Sequence, residues 1–147
     1  LPYQLYVREA RRMRGEFVVT QNDVQADRHK PDSIGMSSHF IDCHHVQRVA
    51  LNKNEFVNEG RIWRMGHAYQ IPYRALVPRV VRGLLVAGRC ISADHQALGH
   101  IRVIPPMMVT GQAAGTAAFM AVELDQDPAQ VDPALVRRQL EKDGAIL

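Results

Sequence analysis

The chain has 147 residues, of which 46% are apolar and 22% charged, the proportions of a globular domain with its own core and not of a disordered or fibrous chain. The net charge is only +3 and the Lys and Arg residues are scattered, which argues against a nucleic-acid partner. The two cysteines, Cys43 and Cys90, are too few and too far apart for a disulfide framework, and they read as free thiols in a reducing, cytoplasmic compartment.

Taken in order, residues 4–14 have a helical mix, with Leu5, Glu9 and Arg12 on one side, Arg8 and Arg11 close by, and Gly15 where a helix stops. Phe17, Val18 and Val19 form a candidate strand within residues 16–20. Thr20 followed by Asp23 resembles an N-cap with an acid three residues on, so a short helical turn to about Ala26 is expected. Pro31 and Asp32 mark a turn, and residues 33–42 suit a strand interrupted at Gly35. Residues 44–61 have a weak pattern; Asn52, Asn54, Asn58 and Gly60 suggest loops. Ile62 and Trp63, then residues 67–71, are strand candidates, and Pro72 ends the second. Residues 73–78, bracketed by Pro72 and Pro78, read as an extended connector.

The segment Leu84-Leu85-Val86-Ala87-Gly88-Arg89-Cys90 is a short apolar run closed by Gly, the pattern of a strand buried on both faces. A polar stretch follows from Arg89 to Arg102. Residues 103–122 carry no charge, open on Pro105 and Pro106, and contain Gly111, Ala114, Gly115 and Ala118. They predict a helix apolar on all sides, and such a helix needs neighbours all round. Its prolines, glycines, threonines and glutamine make it a poor lipid-facing span, so a membrane is not expected. Few other segments offer the cover that this strand and helix require, so the chain reads as one piece of a larger α/β protein. The tail is a well-signalled surface helix, with Asp132 as cap, Pro133 in its first turn and Gly144 at its end.

The order strand, Gly, polar loop, helix N-terminus places a ligand site beyond the carboxyl end of a strand. Amides of the first helical turn favour a phosphate or an electron-rich oxygen. Pro105 and Pro106 have no N–H, which makes Met107 and Met108 the first expected donors near a helix start at Met107. Gly111 and Gly115 each cost about 1 kcal/mol relative to Ala inside a helix. They suggest close approach of another backbone or a flat ligand, or else tight helix-on-sheet packing alone.

The stretches Tyr69-Gln70-Ile71-Pro72-Tyr73-Arg74, residues 84–93, Arg102-Val103-Ile104-Pro105 and Gly111-Gln112-Ala113-Ala114-Gly115-Thr116-Ala117 together resemble the C-terminal part of bacterial FAD-dependent oxidoreductases. That family is related in fold to fumarate reductase and succinate dehydrogenase flavoproteins. Residues 6–12 and Asp32-Ser33-Ile34-Gly35 fit the same pattern, so the resemblance covers nearly the whole chain. It implies FAD as cofactor. Gly88, Arg89 and Cys90 would line the ribityl and pyrophosphate region, and Arg102, Ile104, Met107 and Met108 would meet the flavin ring, with Gly111 alongside. The G-x-G-x-x-G fingerprint that holds the ADP half in the family is absent, as expected of a fragment without the first βαβ unit. Related flavoproteins commonly place an acid after the strand's Gly; Arg89 stands there, and by the resemblance Asp94 would supply the carboxylate instead.

Other residues admit competing readings. His39, Cys43, His44 and His45 hint at a metal, but adjacent histidines on a strand do not both face one ion, so no metal is expected. His44 or His45 near a flavin would suit proton donation; a solvated loop is the alternative. His95 and His100 flank the flavin loop. The catalytic candidates are His44, His95 and Arg102. Cys90 has no second Cys nearby for a redox relay. Arg8, Arg11, Arg12 and Arg14 read as a solvated helix face. Tyr73-Arg74 would anchor an anion or form a structural ion pair.

The fold class expected is mixed α/β: a C-terminal fragment of an FAD/NAD(P)-binding Rossmann-like fold with part of a substrate-side β region. Residues 1–78 would be substrate-side, 79–125 the last strand-loop-helix of the FAD-binding domain, and 126–147 the surface helix. The expected partners are a small-molecule substrate and the N-terminal remainder of the same polypeptide. A stand-alone, non-catalytic binding module with a basic surface is the alternative.

Overall fold

Capping hydrogen bonds set the helix boundaries. In the computed structural model, which describes residues 9, 11–26, 29–48, 56–63 and 66–147, helix α1 spans Gln21–Gln25 behind a complete capping box. The Asp23 amide donates to Thr20 Oγ1 at 3.2 Å and the Thr20 amide donates to Asp23 Oδ2 at 3.1 Å. Helix α2, His95–Ile101, is capped by Asp94, whose Oδ1 accepts from the Ala97 amide at 2.7 Å. Helix α3 covers Ile104–Glu123. Helix α4, Pro133–Lys142, begins at the Asp132 cap with Pro133 first, and Gly144 beyond it takes φ +85°, as expected from the tail.

Two antiparallel pairs make up the β structure. Strand β1, Ser33–Ser37, pairs with strand β4, Tyr69–Pro72; the partners are Ser33 with Pro72, Met36 with Gln70 and Ser37 with Tyr69. The register shifts between Ser33 and Met36, where Gly35 takes φ +155°. A Cβ on Gly35 would come within 2.1 Å of Val109 Cγ1, so only glycine lets β1 lie this close to α3. Strands β2, Ile41–Arg48, and β3, Phe56–Trp63, pair from Ile41 with Trp63 to Arg48 with Phe56.

The core gathers Val19, Ile34, Ile41, Ile71, Leu76 and Ile91 with the inner faces of α2, α3 and α4. Helix α3 buries Thr110, Ala113, Ala117 and Ala121, and α4 covers the same layer with Val136 and Leu140. Bridges tie Gly15 to Pro78 and Val19 to Ala93. The Tyr73 hydroxyl donates to the Pro128 carbonyl at 2.7 Å, and burial pushes its pKa up to about 12.

Several expectations are corrected here. Residues 84–87 form no strand. Leu84 is 46% exposed, residues 85–87 are half-buried, and the Val86 amide donates to the Leu76 carbonyl at 2.8 Å. An apolar run becomes a strand only beside another strand, and none lies there among the described residues. Residues 44–61, read as loops, instead belong largely to the β2–β3 hairpin, because cross-strand pairing overrides a weak local pattern. The expected helix over residues 4–14 lies mostly outside the described residues, and 11–14 are not helical. The polar stretch after Cys90 holds α2, whose Ala97, Leu98 and Ile101 are buried.

Helix α3 starts at Ile104, about one turn before the expected Met107, since proline suits the first turn. It is not covered all round: Ile104, Met108, Phe119 and Val122 are exposed. A Cβ on Gly111 or Gly115 would meet nothing within 4 Å. Among the helical glycines, the one that permits close packing is Gly99 in α2, where a Cβ would lie 2.7 Å from the Asp42 carbonyl oxygen and 2.8 Å from Cys43 Sγ.

Candidate functional site

Arg102 is the C-cap of α2 and α3 begins two residues later, so one tight turn presents Arg102, Val103, Ile104 and Pro105 together. With Arg89 and Asp42 these residues line a cavity of about 330 Å³. That volume is at the low end of small-molecule sites, roughly 300–1,000 Å³, and suits one ring system better than a whole dinucleotide.

The polar groups around the cavity are held in place. Arg102 is almost buried, and its Nη2 donates to the Asp42 carbonyl at 3.0 Å and to Asp42 Oδ2 at 3.2 Å. Asp42 is carried by β2, which α2 approaches at Gly99. Arg89 Nε donates to the Arg102 carbonyl at 3.1 Å, drawing the loop after residue 87 toward the start of α3. Gly88, at φ +81°, sends its amide to Thr110 Oγ1 at 3.0 Å, and Thr110 in turn donates to the Met107 carbonyl at 2.8 Å. A second cord therefore ties the Gly88 turn to α3.

The start of α3 offers fewer amides than most helices. Pro105 and Pro106 supply none, and the Met107 amide is already bonded to the Val103 carbonyl at 3.2 Å. Met107 is thus not the free donor the prolines led one to expect, because the helix starts early enough to use it. Positive character here comes from guanidinium groups more than from a helix end.

The remaining candidates divide clearly. Arg89, Arg102 and Ile104 line the cavity. Met108 is exposed on the open face of α3, whereas Met107 packs partly against the core. Gly111 lies on the open side, with free space where a side chain would be. Cys90 is exposed, its thiol directed at the Ala87 carbonyl. Asp94 is engaged structurally: besides capping α2, its Oδ2 accepts from the Gln21 amide at 2.8 Å. Asp42 was missed as a site residue because it looks like the end of a strand; no local motif marks it.

His95 Nδ1 donates to Glu9 Oε1 at 2.7 Å, and Arg12 also pairs with Glu9. Burial would raise the Glu9 pKa, but these two partners outweigh it and hold the carboxyl below its usual range. His100 is fully buried, with Nε2 bonded to the Ser37 carbonyl at 3.0 Å; burial pushes its pKa down to about 4. It is a structural, neutral histidine. The side chains of His44 and His45 lie outside the described residues. Cys43 is buried against α2, and desolvation raises its thiol pKa. Arg74 makes a structural fork to Asp32, Nε to Oδ2 at 2.9 Å and Nη2 to Oδ1 at 3.2 Å.

Compared with known families, residues 1–140 match the model described as FAD dependent oxidoreductase. The chain belongs to this FAD-dependent oxidoreductase family, whose cofactor is FAD. No curated protein and no solved structure matches it. The mixed α/β architecture is consistent with part of an FAD-binding fold. The residues at the start of α3 fit such a cofactor: two arginines beside exposed Ile104 and Met108, next to a helix face whose glycines leave room for a flat group. Among the described residues no helix is long and apolar enough to cross a membrane.

Proposed function

We propose that this chain supplies the flavin-ring side of an FAD-dependent oxidoreductase acting on a small molecule, and that the ADP half of the cofactor is held by polypeptide preceding these residues. The observation that carries this reading is the cavity formed by Arg89, Arg102, Asp42 and the first turn of α3. When bound, FAD supplies the electron-transfer chemistry, and the protein supplies position and electrostatics.

Arg102 would face the electron-rich edge of the ring, held there by Asp42; a fixed guanidinium favours negative charge without reorganising. Gly88 and Arg89 would line the ribityl and pyrophosphate stretch, with Cys90 at its margin. Ile104, Met108 and Gly111 would give the ring an apolar wall and exclude water. Asp94 would support the loop from behind through α2. The open face of α3, together with Leu84, would dock on the rest of the cofactor-binding fold, where residues 84–87 would gain strand neighbours. His95, whose Nδ1 donates to Glu9, would be the proton-exchanging residue in this reading.

An Arg102→Met substitution in the intact protein tests this. Flavin absorbance and midpoint potential should both change, the reduced form losing stabilisation. A variant with unchanged flavin content and unchanged potential would remove Arg102 from the site.

A further inference from the structure

We propose a second binding site, for a phosphate group, in the cleft lined by Arg12, Met13, Arg14, Val18, Ser92 and Ala93. The cleft holds about 440 Å³ and shares no lining residue with the cavity at α3. Ser92 is 1% exposed, and among the described residues its hydroxyl has no hydrogen-bond partner. A buried hydroxyl left unmade costs free energy, and this one belongs to a residue lining an open cleft. Arg14 is exposed, and among the described residues its guanidinium has no ion pair. Arg12 pairs with Glu9, but Glu9 is shared with His95, so the cleft keeps excess positive charge.

The frame of this cleft is rigid. The Met13 amide donates to the Cys90 carbonyl at 2.8 Å, the Arg79 amide to the Arg14 carbonyl at 3.0 Å, and the Val19 amide to the Ser92 carbonyl at 3.0 Å. Residues 12–14 are thereby laced to the segment that carries Ser92. Gly15 continues the close fit, since a Cβ there would lie 2.8 Å from Ser92 Cβ. Two guanidinium forks and one hydroxyl donor suit a tetrahedral oxyanion with several acceptor oxygens better than a planar carboxylate.

Calorimetric titration of the intact, flavin-loaded protein with inorganic phosphate tests the site, with acetate and chloride at matched ionic strength and glycerol phosphate in parallel. Saturable one-to-one binding of phosphate, weaker binding of acetate and no change in flavin absorbance are expected. A tighter glycerol phosphate would identify an ester as the ligand; an equal or weaker one would identify the free ion. Arg14→Gln should weaken phosphate by about tenfold, the worth of a charge-assisted bond. Ser92→Ala should weaken phosphate severalfold while leaving the ligand-free protein as stable as before or more so. Phosphate binding that survives Ser92→Ala unchanged, that acetate matches, or that displaces flavin would overturn the proposal, as would no saturable heat.

Discussion

Replacing Gly99 with Ala adds one methyl group at the tightest contact between α2 and β2. The new Cβ would lie 2.7 Å from the Asp42 carbonyl oxygen, 2.8 Å from Cys43 Sγ and 3.1 Å from the Asp42 carbonyl carbon. Ordinary carbon contacts need about 3.5 Å or more, and two of the three atoms are backbone, which cannot rotate aside. Overpacking of this kind costs about 1–3 kcal/mol. Ala for Gly in a helix recovers about 1 kcal/mol. The collision therefore wins by up to about 2 kcal/mol. The easiest relief is a tilt of α2 away from β2, which carries Arg102, the C-cap of α2, off Asp42. Urea denaturation should show a lower midpoint at unchanged slope, together with weaker flavin retention in the intact protein. Gly115→Ala provides the contrast: with nothing within 4 Å, the ligand-free chain should gain up to about 1 kcal/mol. If Gly99→Ala were as stable as the parent, the close approach of α2 and β2 would not be what fixes Asp42.

Acid should weaken the fold through His100. Its folded pKa, about 4, is depressed below the usual 6.5, so its contribution is complete above pH 6.5 and is lost as pH falls from there toward 4, by up to ~3 kcal/mol. In a His100→Gln variant, unfolding free energy measured across that window should lose this slope. Arg74→Met removes the fork from Asp32, whose pKa burial raises and Arg74, outweighing it, lowers. Thermal melts should show a loss of about 1–3 kcal/mol, shrinking as pH falls through the depressed Asp32 pKa. Asp132→Ala deletes the cap on α4 and should cost about 1 kcal/mol in the same assay.

The sequence by itself determined the features closed by neighbours in the chain. Thr20 with Asp23 and Asp132 with Pro133 specify helix starts through bonds that span three residues or fewer. Pro105 and Pro106 open α3 for a similarly local reason, and the motifs around Arg102 and Gly88 were enough to point to the family that the comparison shows. What only the tertiary structure decided depends on partners distant in the chain. Pairing Ile41 with Trp63 turns a weak pattern into a hairpin, whereas residues 84–87, apolar enough for a strand, meet none among the described residues. The meaning of each glycine was likewise undecidable locally: Gly99 faces the backbone of β2, while Gly111 and Gly115 face open space. Asp42 enters the cavity through the same long-range contact, because the chain between it and Arg102 must fold back before carboxylate and guanidinium can meet.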